Sequence, residues 1–219
     1  MVSFPLFKIW KLKVQEICIF EHRCKPSFIL EPMDIEQILD KIYPLSEPSR
    51  LILKSYITEL SFPKNHILIS SDKIEKQLYF IKKGIARTFV FNDSDETTFS
   101  FGKEGDTIIS FKSYISNQKG YEDVELLEDC IVYKLNTQDL RKLYNENIEI
   151  ANWGIRFAEN ELLKAEDRLL TRQFGNASDR YEVLLKNYPN LLQRVQLGYI
   201  ASYLGITQVS LSRIRASIK

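Results

Sequence analysis

The stretch Leu197–Ala216, LGYIASYLGITQVSLSRIRA, carries the most specific chemistry in the chain. Two helices that cross steeply over a short turn need a small residue part-way along the first helix, and Ala201 stands there. Four residues later Gly205 supplies the backbone freedom that such a turn requires. Ile200, Leu204, Ile206, Leu211 and Ile214 fill the offsets of a shared apolar core, and Thr207 stands where it caps the second helix. The outward face of that helix then shows Gln208, Val209, Ser212 and Arg213. Gln and Arg are suited to hydrogen-bonding base edges in the major groove of duplex DNA, whereas Val can touch a thymine methyl but cannot accept a hydrogen bond. Charge points the same way. There is no Asp or Glu from Val183 to Lys219, while Lys186, Arg194, Arg213, Arg215 and Lys219 give a local excess of +5 in a chain of net charge +1. That asymmetry is the footprint of a phosphate-binding surface. Gln208 and Arg213 are therefore the base-reading candidates, and Thr207, Ser210, Ser212, Arg215 and Arg194 the phosphate-contact candidates. A helical hairpin used for protein contacts is the alternative reading of the same pattern.

A motif of this kind has to be positioned by what precedes it. Asn147 to about Phe174 reads as one long helix. Ile148, Ile155, Leu162 and Leu169 recur every seven residues, and Ala151, Ala158 and Ala165 follow the first three of them by three. That is an a/d seam whose alanines permit close approach of a second helix, so a homodimer is expected. Ile150, Trp153 and Phe157 form a second apolar stripe, suited to packing on a neighbouring domain. A single amphipathic helix buried in its own subunit is the alternative. Gly175–Ser178 should end the long helix, with Ser178 capping another over Asp179–Asn187 whose Tyr181, Leu184 and Leu185 point inward. Pro189 breaks that one.

Upstream the period changes. Asp34–Tyr43 predicts a short helix with Ile35, Ile38, Leu39 and Ile42 on one face. A second helix starts at Ser46, with Pro48 in its first turn and Leu51, Ile52, Tyr56 and Leu60 as its buried side. Between Phe62 and Leu135, β-rich runs at 67–69, 77–82, 85–91, 97–101 and 131–135 are separated by turn sequences. This spacing predicts an antiparallel sandwich or roll of about eight strands. Phe99 and Phe101 alternate with Thr98 and Ser100, as in a half-buried strand.

Composition bounds the remaining possibilities. The 219 residues are 44% hydrophobic and 27% charged, which is ordinary for a globular chain and excludes collagen-like or low-complexity sequence. No apolar run is long enough for a membrane span. Three Cys argue against a disulfide framework and for a reducing, cytoplasmic location. His22 and His66 are the only two imidazoles, so zinc chemistry and a cupin-like enzyme on the β-roll are not expected, and neither is any other metal site. Residues 1–32 are a leader of doubtful status: broken by Lys and Glu and without a small-residue cleavage site, they do not read as a signal peptide, and Met33 is a candidate natural start.

In this order the parts resemble a Crp/Fnr-type transcriptional regulator over Asp34–Lys219. Residues 77–87, QLYFIKKGIAR, are similar to the family's strand–turn–strand signature, and Gly105-Asp106 to the turn that opens its phosphate cassette. Residues 199–207, YIASYLGIT, followed by Leu211–Arg215, resemble the DNA-reading end in a Bacteroidetes-like branch. The resemblance implies an α+β fold. Its parts are a β-roll sensor domain at 33–146, resembling a cyclic-nucleotide-binding jelly roll, a dimerisation helix at 147–174 and a winged-helix or helix-turn-helix domain at 175–219. It implies a non-enzymatic regulator that binds double-stranded DNA as a homodimer, with RNA polymerase as a further partner and an unidentified small-molecule effector. Several family features are replaced. The Gly-Glu pair that holds a cyclic nucleotide is Ile109-Ser110 here, the Arg-Ser pair falls near Gly120-Tyr121, and no Arg occurs between Thr88 and Leu140. Lys112 and Lys119 offer point charges but no bidentate fork. Cyclic-nucleotide binding is therefore not expected, though a ligand sensor of that class is the rival reading. An iron–sulfur cluster would have to be built from Cys18, Cys24 and Cys130, one thiolate short of four, and haem ligation would rest on His66 alone; neither is expected. The family's base-reading Glu is absent from the second helix, so the operator should differ from the best-known ones. Any wing must fit into Asn190–Gln196 and be reduced.

Overall fold

Asp34 opens helix α1 (Ile35–Ile42) with a capping box, the Gln37 side chain accepting from the Asp34 N–H at 3.0 Å. Its Ile35, Ile38 and Leu39 are buried as the pattern predicts. Helix α2 (Glu47–Ser55) starts at Ser46 with Pro48 in its first turn, also as predicted. Its inward face is not the predicted one. Ser49 and Leu53 are buried, whereas Leu51, Ile52 and Tyr56 are exposed by 58, 42 and 44%. The helix stops at Ser55 and the chain becomes strand β1 (Ile57–Phe62), so Leu60 belongs to a strand. The structure, a computed structural model, describes residues 32–92 and 95–217; the leader reading for residues 1–31 lies outside them.

The other strands are β2 (Ile67–Ile69), β3 (Gln77–Lys83), β4 (Ala86–Asn92), β5 (Asp95–Gly102), β6 (Thr107–Ile108), β7 (Asp123–Leu126) and β8 (Cys130–Asn136). They form two four-stranded antiparallel sheets, ordered β1-β8-β3-β6 and β2-β7-β4-β5. Between them lie Leu68, Ile69, Ile81, Ala86, Val124, Leu126 and Val132, all buried. Gly84 turns the chain from β3 to β4 at φ +118°, and a Cβ there would collide with Cys130 Sγ. Strand β5 departs from simple alternation. Thr88 pairs with Ser100 but Phe89 pairs with Thr98, so Phe99 is the extra residue of a bulge. Phe101 is buried while Phe99 is 40% exposed, and Thr98 takes an interior position.

Helix α3 (Phe111–Ser116) follows β6, and α4 (Thr137–Glu146) follows β8. Helix α5 (Ile148–Phe174) is capped by Asn147, whose carboxamide oxygen accepts from the N–H of Glu149 and Ile150 at 2.9 and 3.1 Å. Its first half is fastened to the roll by the stripe read from the sequence: Ile150, Trp153 and Phe157 are buried against α1, α4 and strands β3 and β8. Trp153 donates its ring N–H to the Leu39 carbonyl at 3.1 Å and stacks on Phe157 at 5.8 Å. The seam residues face the other way. Ile148, Ile155, Leu162 and Leu169 are exposed by 75, 58, 71 and 63%. Ala158 and Ala165 are exposed beside them and Ala151 is half-buried.

After Gly175 come α6 (Ala177–Asn187), α7 (Leu191–Arg194), α8 (Leu197–Leu204) and α9 (Gln208–Ser217). The cap of α6 is Asn176, not Ser178. Asn176 accepts from the Asp179 N–H at 3.0 Å and the Asp179 carboxylate accepts in turn from the Asn176 N–H at 3.2 Å, leaving Ser178 inside the first turn. No strand occurs among the described residues after Asn136, and the place allowed for a reduced wing is the single helical turn α7. The architecture is α+β: a β-roll with short helices before it, a long helix, and a C-terminal helical unit.

Candidate nucleic-acid interface

Helices α8 and α9 form the expected pair. Ala201 is buried at their crossing. Gly205 adopts φ +65°, ψ 37°, and the Ile206 N–H returns to the Ala201 carbonyl at 3.0 Å, which closes α8 and reverses the chain. Thr207 Oγ1 accepts from the Ser210 N–H at 3.2 Å and so caps α9. Ile200, Leu204 and Leu211 are buried, with Ile206 and Ile214 half-buried around them, in one cluster with Tyr181, Leu184 and Leu191. This arrangement leaves Thr207, Gln208, Val209, Ser212 and Arg213 exposed and Ser210 and Arg215 half-buried. Gly198 in α8 makes room for the Gln208 amide, which would stand 2.8 Å from a Cβ at that position. The exposed face of α9 thus carries an amide, an apolar surface, a hydroxyl and a guanidinium, with no carboxylate on the helix.

Arg194 is not part of that face. It sits at the end of α7 and its guanidinium is engaged by two carboxylates of the β-roll. Nη1 and Nη2 donate to Glu104 at 3.2 and 2.7 Å, Nε donates to Glu128 at 3.2 Å, and Nη2 makes a second bond to Glu128. The Arg194 side chain is 21% exposed and that of Glu104 3%, so no phosphate can take the guanidinium without displacing them. Contrary to the phosphate-contact role expected from the sequence, the Arg194 guanidinium is held by carboxylates of its own chain. Its true partners lie 66 and 90 residues away and no local pattern announces them.

Burial alone would raise the Glu104 carboxyl, but the Arg194 bonds and the Gly84 N–H at 2.9 Å outweigh it and hold the group below its ordinary value. The stabilisation this lends is complete above the ordinary carboxylate range and is lost as pH falls through the lowered value. In acid titrations of thermal stability the wild-type chain should therefore lose more between about pH 5 and pH 2 than Glu104→Gln does. Identical acid limbs for the two proteins would contradict this pairing.

Further bonds tie the C-terminal helical unit to strand β5. Ser202 Oγ accepts from the Thr98 N–H at 2.9 Å and donates to the Glu96 carbonyl at 3.2 Å. Tyr188 OH donates to the Phe101 carbonyl at 2.7 Å. Arg87 is fully buried, its guanidinium lying between the rings of Phe89 and Tyr199 at 4.2 and 3.9 Å and pairing with Glu96. The sequence reading missed all of these.

On the β-roll, the positions that the resemblance assigns to a cyclic nucleotide lie around α3. Ser110 Oγ is buried without a hydrogen-bond partner, and a Cβ at Gly120 would stand 2.6 Å from it and 3.1 Å from the Glu122 carboxylate. Glu122 is itself buried. Lys112 and Lys119 are exposed. Cys130 is buried, its thiol pushed up to about 11 chiefly by desolvation; Cys18 and Cys24 lie outside the described residues. His66 stacks on Phe62 at 4.3 Å. Among the described residues no group of three or more His, Cys, Asp or Glu could hold a metal ion, and no helix is long and apolar enough to cross a membrane.

Comparison with known proteins places this geometry. Solved structures with the same fold include FixK2 from Bradyrhizobium japonicum, at 22% identity and a TM-score of 0.64 over 74% of this chain and 84% of that one. A CooA variant from Carboxydothermus hydrogenoformans follows at 16% identity and 0.59, covering 89% of this chain and 85% of that one. The catabolite activator protein of Thermus thermophilus matches at 17% identity and 0.52, covering 83% and 86%. No curated protein sequence matches the chain. The family model that does match is that of the cyclic nucleotide-binding domain, over residues 59–147, the segment from β1 to the end of α4.

Proposed function

We propose that the chain is a homodimeric, sequence-specific DNA-binding transcription regulator of the Crp/Fnr type. The observation that carries this reading is the exposed face of α9, with Gln208, Val209, Ser212 and Arg213 turned outward from a helix that is capped by Thr207 and anchored by buried Leu211. The exposed seam of α5 supports the dimer: pairing two such helices removes four large apolar side chains per protomer from water. Each α9 then enters one major groove, and the two-fold pair reads an inverted repeat with half-sites about 34–36 Å apart or a multiple of it. Gln208 and Arg213 read base edges, Val209 contacts a thymine methyl, and Thr207, Ser210, Ser212 and Arg215 contact the backbone.

An effector acts in this scheme by favouring one relative orientation of the two α5 helices over another. A cyclic nucleotide does not fit that role. A phosphodiester placed near Gly120 would meet the buried Glu122 carboxylate, which repels it. RNA polymerase is a further partner consistent with a regulator of this type.

In-vitro selection of DNA sites with the purified protein tests the reading, and recovery of an inverted repeat is the expected result. Arg213→Ala should cost about 1–3 kcal/mol at one base pair and relax specificity there, with little change in non-specific binding. A uniform loss on all sequences would move Arg213 to the phosphate-contact group.

A further inference from the structure

We propose that Arg194 is a positioning residue: by gripping two turns of the β-roll at once, it fixes the helix-turn-helix on its own sensor domain and thereby sets the separation of the two recognition helices in the dimer. This rests on the DNA-binding dimer proposed above.

The geometry argues for a joint rather than a chance surface pair. Glu104 comes from the turn between β5 and β6, and Glu128 from the turn between β7 and β8. One planar guanidinium spans both, with four hydrogen bonds in all. A planar fork that satisfies two carboxylates holds its orientation as well as its position, which a lysine ammonium cannot do. The pairing lies beside apolar packing: Ile85, Phe101 and Leu127 of the β-roll share one buried cluster with Tyr181, Leu191, Val195 and Leu204 of the helical unit. Arg194 stands three residues before the start of α8. Together with the Ser202 bonds to β5, it pins that helix at its entry and along its length. Helix α9 is fixed to α8 by Gly205 and the shared core, so its direction follows from the joint. In a dimer held through α5, the angle of each helix-turn-helix on its β-roll decides how far apart the two α9 helices lie.

Removing Arg194 alone would leave the nearly buried Glu104 without its counter-charge. The informative variant is therefore Arg194→Met combined with Glu104→Gln and Glu128→Gln, which leaves no unpaired charge; Arg194→Lys in the otherwise wild-type chain is its companion. Full-length proteins are compared on DNA carrying two half-sites at the selected spacing and at spacings changed by one or two base pairs. Backbone hydrogen exchange in α8 is followed in parallel. The triple variant should remain folded and dimeric, lose about tenfold of its discrimination between spacings, and exchange faster in α8 than in β3 or β8. Arg194→Lys should fall between it and the wild type.

A uniform loss at every spacing, with the logarithmic salt slope shallower by about 0.9 per lost contact, would mark a phosphate contact and overturn the proposal. So would unchanged discrimination. A wild-type chain that shows no DNA preference at all would overturn the regulator reading and this one with it, whereas a selective wild type with an equally selective variant removes this one alone.

Discussion

A chain carrying glutamate at both Ile155 and Leu162 is expected to sediment as a monomer and to bind its operator about 10²–10⁴-fold more weakly than the wild type, because the second half-site no longer benefits from a tethered neighbour. Both side chains lie on the open face of α5, 58% and 71% exposed, so charge there leaves the fold of one protomer undisturbed. In the paired state the same two positions become the middle of the seam, and four carboxylates would have to be desolvated next to each other. Sedimentation velocity and a gel shift on the selected inverted repeat report the two effects separately. A double variant that stays dimeric would place the interface elsewhere.

Trp153→Ala should destabilise the folded chain by about 3–5 kcal/mol, measured as a shift of the urea midpoint followed by circular dichroism. Trp153 is fully buried. It meets Phe80 edge-on at 6.3 Å, stacks on Phe157, and holds the Leu39 carbonyl of α1. Truncation opens a cavity and removes one of the two hydrogen bonds that the Leu39 carbonyl accepts, the other coming from the Tyr43 N–H at 3.1 Å, so the cavity carries most of the cost. Since Trp153 joins the N-terminal helices, the β-roll and the long helix, no smaller rearrangement can absorb the loss. A cost below about 1 kcal/mol would mean that α5 is not the keystone of this core.

The long helix, its two stripes and the paired helices α8 and α9 are legible because each follows from a local period. Ile150, Trp153 and Phe157 point one way and Ile155 and Leu162 another whatever they pack against. Where pairing is distant, the local pattern misleads. Tyr56 and Leu60 continue the apolar spacing of α2, yet β1 is drawn away by β8, Leu60 facing Val132 across 72 residues of chain. Strand β7 and helix α3, of four and six residues, are too short to establish a period. Asn176 won the cap of α6 over Ser178 because Asp179 could complete a reciprocal box only with it. Arg194 illustrates the same effect as β1. A cation in an acid-free segment looks free until the fold brings carboxylates from elsewhere.

The bulge at Phe99 limits how this chain can drift. Strand β5 pairs with β4 both before and after the bulge, and the Thr98 N–H and Glu96 carbonyl also reach Ser202. Gaining or losing a single residue between Thr98 and Phe101 would shift the two sides of the bulge against each other, so that either the side chains after it change face or Glu96 and Thr98 change place against Ser202. Tolerated changes of length in this hairpin are thus confined to its outer end beyond Asn92 and Asp95, and descendants of the sequence should accumulate insertions there while the inner half keeps its residue count.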